Sequence, residues 1–189
     1  ITYIHKNKIR KALKAMERVF ASPYVMSERV LILEKDTENI LVPQDHICIG
    51  TVCSVTLNAI LLKYGIPIIS RFGGVLEIRE NEPYRFGALI SYDGTSLDPL
   101  EIFIRGKMTD VLGAIESGFG RVLASFREIP IVCVDKVKEI YSIMQKRGFQ
   151  GIIMFGKPNQ PLLDIPVGMD RVGIIVVGGL NPIAAIEEN

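Results

Sequence analysis

Hydrophobic positions along the chain switch between helical and strand spacing. In the segment 6–20, apolar residues recur every three or four positions with basic residues largely between them, which predicts an amphipathic helix. Short runs of β-branched and other apolar residues predict strands, for example at 30–33, 86–92 and 172–177. Because helices and strands alternate in this way, the sequence predicts the α/β or α+β class, with a mixed sheet and flanking helices.

The pattern contains an internal repeat. Each copy consists of a helix, a strand, a proline, a glycine-containing strand and a Leu-Asn pair that opens another helix. At an offset of 123 residues, the identities pair Pro43 with Pro166, Gly50 with Gly173, Leu57 with Leu180, Asn58 with Asn181, and Ile60 with Ile183. The repeat predicts a single domain, 1–189, with two pseudo-symmetric halves at about 1–65 and 125–189, joined by an inserted segment at 66–124.

Composition and charge exclude several classes of protein. Of the 189 residues, 48% are hydrophobic and 23% charged, which is typical of a globular domain and not of a disordered, collagen-like or coiled-coil chain. No apolar stretch reaches the roughly 18 residues of a membrane span, so we expect no membrane partner. The net charge of +1 argues against DNA binding by the chain as a whole, and we interpret the lysine-rich face of the first helix as solvated.

The cysteines and histidines do not form a recognisable site. Three cysteines are an odd and sparse set, which indicates a reducing compartment and predicts a cytoplasmic protein. No zinc-site spacing is present, and neither histidine lies near a nucleophile motif. We therefore expect no metal, no cofactor and no enzymatic activity. The chain begins without Met and stops within a helical pattern, so we expect it to be a piece of a longer protein.

A glycine pair near the end of the chain is a candidate for anion binding. Gly178 and Gly179 follow an apolar strand and precede Asn181, which opens a helix. Unpaired N–H groups at a helix N-terminus favour an anion, and glycines let a ligand approach the main chain closely. The alternative is a tight turn with an asparagine cap.

The matching passage of the first half, 51–58, is rich in hydroxyl and thiol groups. Ser54 and Thr56 would donate to a carboxylate, with Asn58 beside them. These residue types are equally common as helix caps, so both interpretations stay open.

Two arginines and one polar loop complete the candidates. Arg71 and Arg127 each lie near the end of a predicted strand, and arginine binds carboxylates through two parallel N–H groups. Many arginines are simply solvated or structural. The segment 91–99, which includes Thr95 and Ser96, is either a hydroxyl-rich part of a site or a plain loop.

Long strings in this sequence resemble one protein family. They are GTVCSVTLN (50–58), RFGGVLEI (71–78), SYDGTSLDPLEIFI (91–104), ASFREIP (124–130), GKPNQPLLDIPV (156–167) and VVGGLNPIAAIEE (176–188). They resemble the effector domain of the NrpR-type archaeal nitrogen-responsive transcriptional repressors. The resemblance implies a dimeric repressor of nitrogen-assimilation genes that 2-oxoglutarate releases from DNA. It also implies DNA contact through a winged-helix domain, which has no counterpart in this chain.

Together, the residues and the resemblance predict a site for 2-oxoglutarate between the halves. The dianion would lie against the helix N-termini after Ser54 and after Gly179, with Arg71 or Arg127 on a carboxylate and the 95–96 hydroxyls as a further candidate. We expect a homodimer formed partly through the inserted segment, whose aromatic residues suit interfaces. Two alternatives stay open: an enzyme acting on a small carboxylate, and a dimerisation module that binds no ligand.

Overall fold

The computed structural model describes residues 1–188. Its α-helices are α1 (Ile9–Phe20), α2 (Val55–Lys63), α3 (Pro99–Arg105), α4 (Val111–Ser117), α5 (Val134–Lys146) and α6 (Asn181–Glu187). Its strands are β1 (Thr2–His5), β2 (Val30–Leu33), β3 (His46–Thr51), β4 (Ile69–Arg79), β5 (Glu82–Ser91), β6 (Gly120–Pro130), β7 (Ile152–Phe155) and β8 (Arg171–Val177). Short 3-10 turns precede α1 and α5, at Lys6–Lys8 and Ile131–Cys133.

The strands form two sheets. The first has the order β1-β3-β2 and the second the order β5-β4-β6-β8-β7, so the predicted class is confirmed as α+β. The expected mixture of parallel and antiparallel neighbours is not observed, because every strand pair within residues 1–188 is antiparallel. In each half the strands before and after the helix run parallel, but a third strand lies between them and pairs with both.

The two halves have the same topology. The order β1-turn-α1-β2-β3-α2 in the first half recurs as β6-turn-α5-β7-β8-α6 in the second. The strand order also recurs, since β1-β3-β2 corresponds to β6-β8-β7. Ser27 precedes β2 and Phe149 precedes β7, and the two residues form an isolated antiparallel bridge. Pairing between equivalent positions is what a pseudo-twofold axis between the halves would produce.

The offset between the halves differs from the predicted one where strand enters helix. Three residues separate β3 from α2, and three separate β8 from α6, so Val55 corresponds to Asn181 at an offset of 126. The predicted offset of 123 instead pairs Asn58, the fourth residue of α2, with Asn181, the first residue of α6. The two Leu-Asn pairs therefore lie at different positions of their helices. An identity between two short sequences does not show where in the helix each sequence lies.

The segment between the halves extends the second sheet. β4 and β5 form a hairpin, and β4 pairs along nearly the whole length of β6. β6 begins at Gly120 and so crosses the boundary expected at 124/125. α3 and α4 lie in the same segment; α3 packs against β4 and β6, and α4 packs against β6. In the smaller sheet, β1 and β2 are the edge strands.

Each half contributes its last helix to the other half's core. Leu57 and Leu61 of α2 belong to the large apolar cluster on the five-stranded sheet, together with Phe126. Ile183 of α6 belongs to the smaller cluster, with Met16 of α1. The two strand-to-helix passages consequently cross between the halves. Between residues 1 and 188, no helix is long and apolar enough to cross a lipid bilayer.

Candidate functional site

Two strand-to-helix passages connect β3 to α2 (52–54) and β8 to α6 (178–180). Arg127 is the most deeply buried charged side chain near them. It lies on β6, between Ser70 of β4 and Ile174 of β8, and is 1% exposed. Its guanidinium donates from Nε to Ser125 Oγ at 3.0 Å and from Nη2 to Ser54 Oγ at 2.8 Å. Nη1 donates to the Ser54 carbonyl at 2.9 Å and to Asn58 Oδ1. All four acceptors are neutral.

Within residues 1–188, the charge of Arg127 has no counter-ion. None of the ion pairs formed within residues 1–188 includes it. Burial lowers its pKa from 12.5 to about 10, so the guanidinium remains protonated at neutral pH. An arginine has five N–H groups, and the four hydrogen bonds leave one, on Nη2, without a partner among the described residues. A buried cation of this kind is costly unless an anion neutralises it.

A cavity of about 560 Å³ opens beside this guanidinium. Its lining is rich in hydroxyl groups. Besides Arg127 and Gly179, the polar and thiol residues that line it are Thr51, Cys53, Ser54, Ser70, Tyr92, Thr95, Ser96 and Asp98. Neutral donors around a single buried cation make the cavity suitable for a small organic acid.

Tyr92 and Asp98 adjust the electrostatics of the cavity. Burial raises the pKa of Tyr92 to about 12, with Arg127 acting in the opposite direction, so its hydroxyl stays neutral and can donate a hydrogen bond. Asp98 is the N-cap of α3 and accepts from Leu100 N at 2.9 Å. Its carboxylate disfavours an anion nearby, which directs negative charge toward Arg127.

The first passage supplies polar groups to the cavity. Ser54, the N-cap residue of α2, makes no side-chain cap hydrogen bond, and its Oγ is free to hold Arg127. Asn58 lies one turn further on, where it accepts from Arg127 and donates from Nδ2 to Ser70 Oγ at 3.1 Å. Thr56 is half-buried on α2 and does not line the cavity.

The second passage uses its polar groups within the protein. The N–H of Gly178 donates to the Leu123 carbonyl at 2.7 Å. Asn181 is fully buried; its Oδ1 accepts from Leu123 N at 2.7 Å, while Nδ2 donates to the carbonyls of Leu123 and Tyr24. These groups hold the start of α6 to β6 and are therefore not available to a ligand.

Gly179 lies where the two passages touch. Its carbonyl accepts from Thr51 Oγ1 at 2.7 Å, and it lines the cavity. A Cβ at this position would collide with the Val52 carbonyl oxygen and would lie 2.9 Å from Cys53 Cα. The glycine is therefore required for the close approach of two backbone segments, a reason that the sequence pattern does not reveal.

The remaining predicted residues separate into two regions. Thr95 and Ser96 line the cavity, and Thr95 Oγ1 also bonds with the main chain of Leu97. Arg71 does not line it. It forms an ion pair with Glu128, whose position next to Arg127 on β6 places it on the opposite face of the sheet.

The sequence pattern singles out neither Ser125 nor Ser70, and it includes Tyr92 only as part of the segment 91–99. Ser125 holds Nε of Arg127, and its position two residues earlier on the same strand already places both side chains on one face. Tyr92 and Ser70 reach the cavity only because β4 and β5 form a hairpin beside β6. Within residues 1–188, no group of three or more His, Cys, Asp or Glu side chains could hold a metal ion.

The chain matches one family along its full length. The family described as NrpR regulatory domains NRD1 and 2 matches residues 1–189. The global nitrogen regulator NrpRI of Methanosarcina mazei is 39% identical over 188 residues, which cover 100% of this chain and 58% of that protein. The global nitrogen regulator NrpR of Methanocaldococcus jannaschii is 35% identical over 187 residues, covering 99% of this chain and 31% of that protein.

A solved structure agrees with these relatives. The crystal structure of a nitrogen repressor-like protein from Methanococcus jannaschii has a TM-score of 0.80 at 34% identity, and the match covers 99% of this chain and 76% of that one. The chain thus spans less than two thirds of the curated relatives, which are named as regulators and not as enzymes. With a match along its whole length, the chain belongs to the family of NrpR regulatory domains.

Proposed function

We propose that this chain is the ligand-sensing domain of a transcriptional repressor of nitrogen-assimilation genes, and that 2-oxoglutarate is the inducer that releases the repressor from DNA. In this proposal the repressor is a cytoplasmic homodimer, with part of the dimer contact in the segment 66–124. Sequence-specific DNA contact belongs to a winged-helix domain elsewhere in the protein. The names of the relatives, all nitrogen regulators, support this role.

The observation that carries the proposal is the buried, uncompensated charge of Arg127. Its four neutral partners orient the guanidinium but do not neutralise it. A carboxylate in the adjoining cavity would take the remaining Nη2 N–H and supply the missing negative charge. Ser54 Oγ, which already accepts from Nη2, has its own proton to donate to the same carboxylate.

The rest of the cavity suits the rest of this ligand. 2-Oxoglutarate carries a second carboxylate and a ketone, both of which only accept hydrogen bonds. The hydroxyls of Tyr92, Thr95 and Ser96 are neutral donors in the same cavity. Glutamate has an ammonium group where 2-oxoglutarate has the ketone, and that cation would be repelled by Arg127. Succinate lacks the ketone and would leave one donor unpaired.

The position of the cavity suggests how binding reaches the rest of the protein. Its walls come from α2 of the first half, β6 and the Gly179 passage of the second half, and the segment after β5. A ligand that binds one arrangement of these walls more tightly shifts the population toward that arrangement. A ligand that bridges the two halves and fits one arrangement better therefore couples its binding to their relative position.

Calorimetric titration of the chain tests the proposal. We expect 2-oxoglutarate to bind more tightly than glutamate or succinate. A charge-assisted hydrogen bond contributes about 1.5–3 kcal/mol, so Arg127→Gln should bind about 10- to 150-fold more weakly. Arg171→Gln is the matched control, since Arg171 is also on a strand of the same sheet but does not line the cavity.

Two outcomes would contradict the proposal. An Arg127→Gln variant that melts cooperatively and binds within about twofold of the parent would place the site elsewhere. A flat response of the parent to all three acids would favour a dimerisation module without a ligand.

A further inference from the structure

The beginning of α1 and the turn before it form a strongly basic surface. Lys6, Lys8, Arg10 and Lys14 are all exposed. None of these four takes part in an ion pair within residues 1–188. No acidic residue occurs in the first turn of α1. We refer to these four residues as the basic surface.

Three residues of the basic surface line two depressions that also contain acidic side chains. Lys8 lines a depression together with His5 and His46. The two imidazole rings pack edge to face, with their centroids 5.3 Å apart. Arg10 and Lys14, one helical turn apart, line the next depression around the helix. Lys11 lines the first depression together with Lys8. The acidic side chains that border these depressions are Glu187 in the first and Glu17 and Glu28 in the second.

The equivalent helix of the second half lacks this feature. α5 has Asp135 in its first turn, where an acid complements the helix dipole, and it carries the surface ion pair Lys136–Glu139. α1 instead has like charges at the positive end of its dipole, where they repel one another and the N–H groups. Since the shared topology does not require this arrangement, the basic surface calls for a separate reason.

We infer that the basic surface binds the phosphate backbone of DNA, a contact that rests on the proposed repressor function. Residues 6–14 extend over about 12 Å of helical rise, and duplex DNA carries about one charge per 1.7 Å, so several phosphates would face this surface at once. The contact reads no sequence and adds to the affinity supplied by a sequence-specific domain.

The structure disfavours other anionic partners. Insertion into a membrane surface needs an apolar helix face, but Ala12, Met16 and Val19 of α1 are buried in the protein core. A small anion would need convergent donors in one pocket. The four cations instead spread over the exposed side of the turn and of α1, which matches an extended polyanion.

The experiment compares two triple variants on random-sequence duplex DNA. Lys6→Gln, Arg10→Gln and Lys14→Gln together remove three charges from the basic surface. Lys136→Gln, Lys138→Gln and Lys146→Gln remove three exposed charges from α5, the equivalent helix. Fluorescence anisotropy from about 50 to about 200 mM salt measures affinity, and calorimetry with 2-oxoglutarate is run on the same preparations.

The expected result is a change in salt dependence confined to α1. Three lost phosphate contacts reduce the slope of log affinity against log salt by roughly 2.7, which is about a 40-fold difference across that salt range. The α5 triple should keep the slope of the parent. Equal slopes for the two triples would overturn the inference, and so would equally tight binding of the parent to polyglutamate, which would indicate an acidic protein as partner. If 2-oxoglutarate fails to bind the parent while the α1 triple still loses its DNA slope, the sensing proposal is wrong and the DNA contact stands.

Discussion

Two passages at equivalent places in the fold have opposite roles. After β3 the chain enters α2 through 52–54, and after β8 it enters α6 through 178–180. Ser54 in the first passage turns its hydroxyl to a buried guanidinium beside a cavity. In the second passage, the N–H of Gly178 donates to the Leu123 carbonyl of β6. The side chain of Asn181, at the start of α6, forms hydrogen bonds with the main chain of Leu123 and of Tyr24. The two halves share the order of their helices and strands, but the polar groups at the two passages have different partners.

The difference shows which features of a duplicated fold are available for binding. A helix N-terminus attracts an anion only if its donors are not already paired inside the protein. Before α6, the N–H of Gly178 is paired with Leu123 of β6, and the side chain of Asn181 is paired with Leu123 and with Tyr24, which precedes β2. At α2 the donors that matter come from an arginine of the opposite half. The two passages therefore use their polar groups differently although the topology is symmetric.

Removing Asn181 should have the largest effect on stability. Asn181→Ala leaves the N–H of Leu123 and the carbonyl of Tyr24 without their partner in a fully buried place, whereas the carbonyl of Leu123 keeps the N–H of Gly178. Each unsatisfied buried group costs about 1–3 kcal/mol, so we expect a loss of roughly 2–6 kcal/mol in the free energy of unfolding measured with urea.

Thr56→Ala is the control for this prediction, because Thr56 is half-buried and makes no side-chain hydrogen bond with the described residues. It should change stability by less than about 0.5 kcal/mol. If Asn181→Ala unfolds at the same urea concentration as the parent and loses only affinity for 2-oxoglutarate, the second passage is part of the ligand site after all.

Adding one methyl group to Gly179 should have the next largest effect. Gly179→Ala forces a collision with main-chain atoms of Val52 and Cys53, which cannot move as a side chain would. Overpacking of this kind costs about 1–3 kcal/mol, measured again by urea unfolding. Gly106→Ala is the matched control, because its new Cβ would have its nearest neighbour at 3.3 Å in ordinary backbone geometry. Equal midpoints for both variants would show that the two passages separate easily.

Much of the fold was accessible from the sequence. The apolar spacing of 6–20 and the repeat predicted the helices and the related halves, because both depend on local periodicity. The insertion of a third strand between two parallel ones was not predicted, since strand order is decided by packing between distant segments. The repeat also does not indicate that the inserted segment 66–124 joins the sheet of the second half, where β4 pairs with β6.

The candidate site was predictable in part. Ser54 and Arg127 were candidates by residue type, and the structure brings them together. The separation of Arg71 from them follows from strand alternation, which places Glu128 opposite to Arg127. The roles of Gly179 and Asn181 depend on which carbonyls come within reach after folding. No local pattern contains that information, so glycine and asparagine were equally consistent with a ligand and with a turn.

The smallest predicted effect is a dependence of ligand affinity on pH at the alkaline end. Burial holds the pKa of Arg127 at about 10, below its ordinary 12.5, so the guanidinium keeps its charge as pH rises from about 7 to about 9. Above about pH 10, Arg127 of the free protein loses its charge. Because a bound carboxylate favours the protonated guanidinium, binding then requires that Arg127 first takes up a proton. The affinity for 2-oxoglutarate should therefore be lower at about pH 10.5 than at about pH 8. Arg127→Gln should bind weakly with no such alkaline change, whereas a loss of affinity between about pH 7 and 9 in the parent would assign the titrating group to another residue of the cavity.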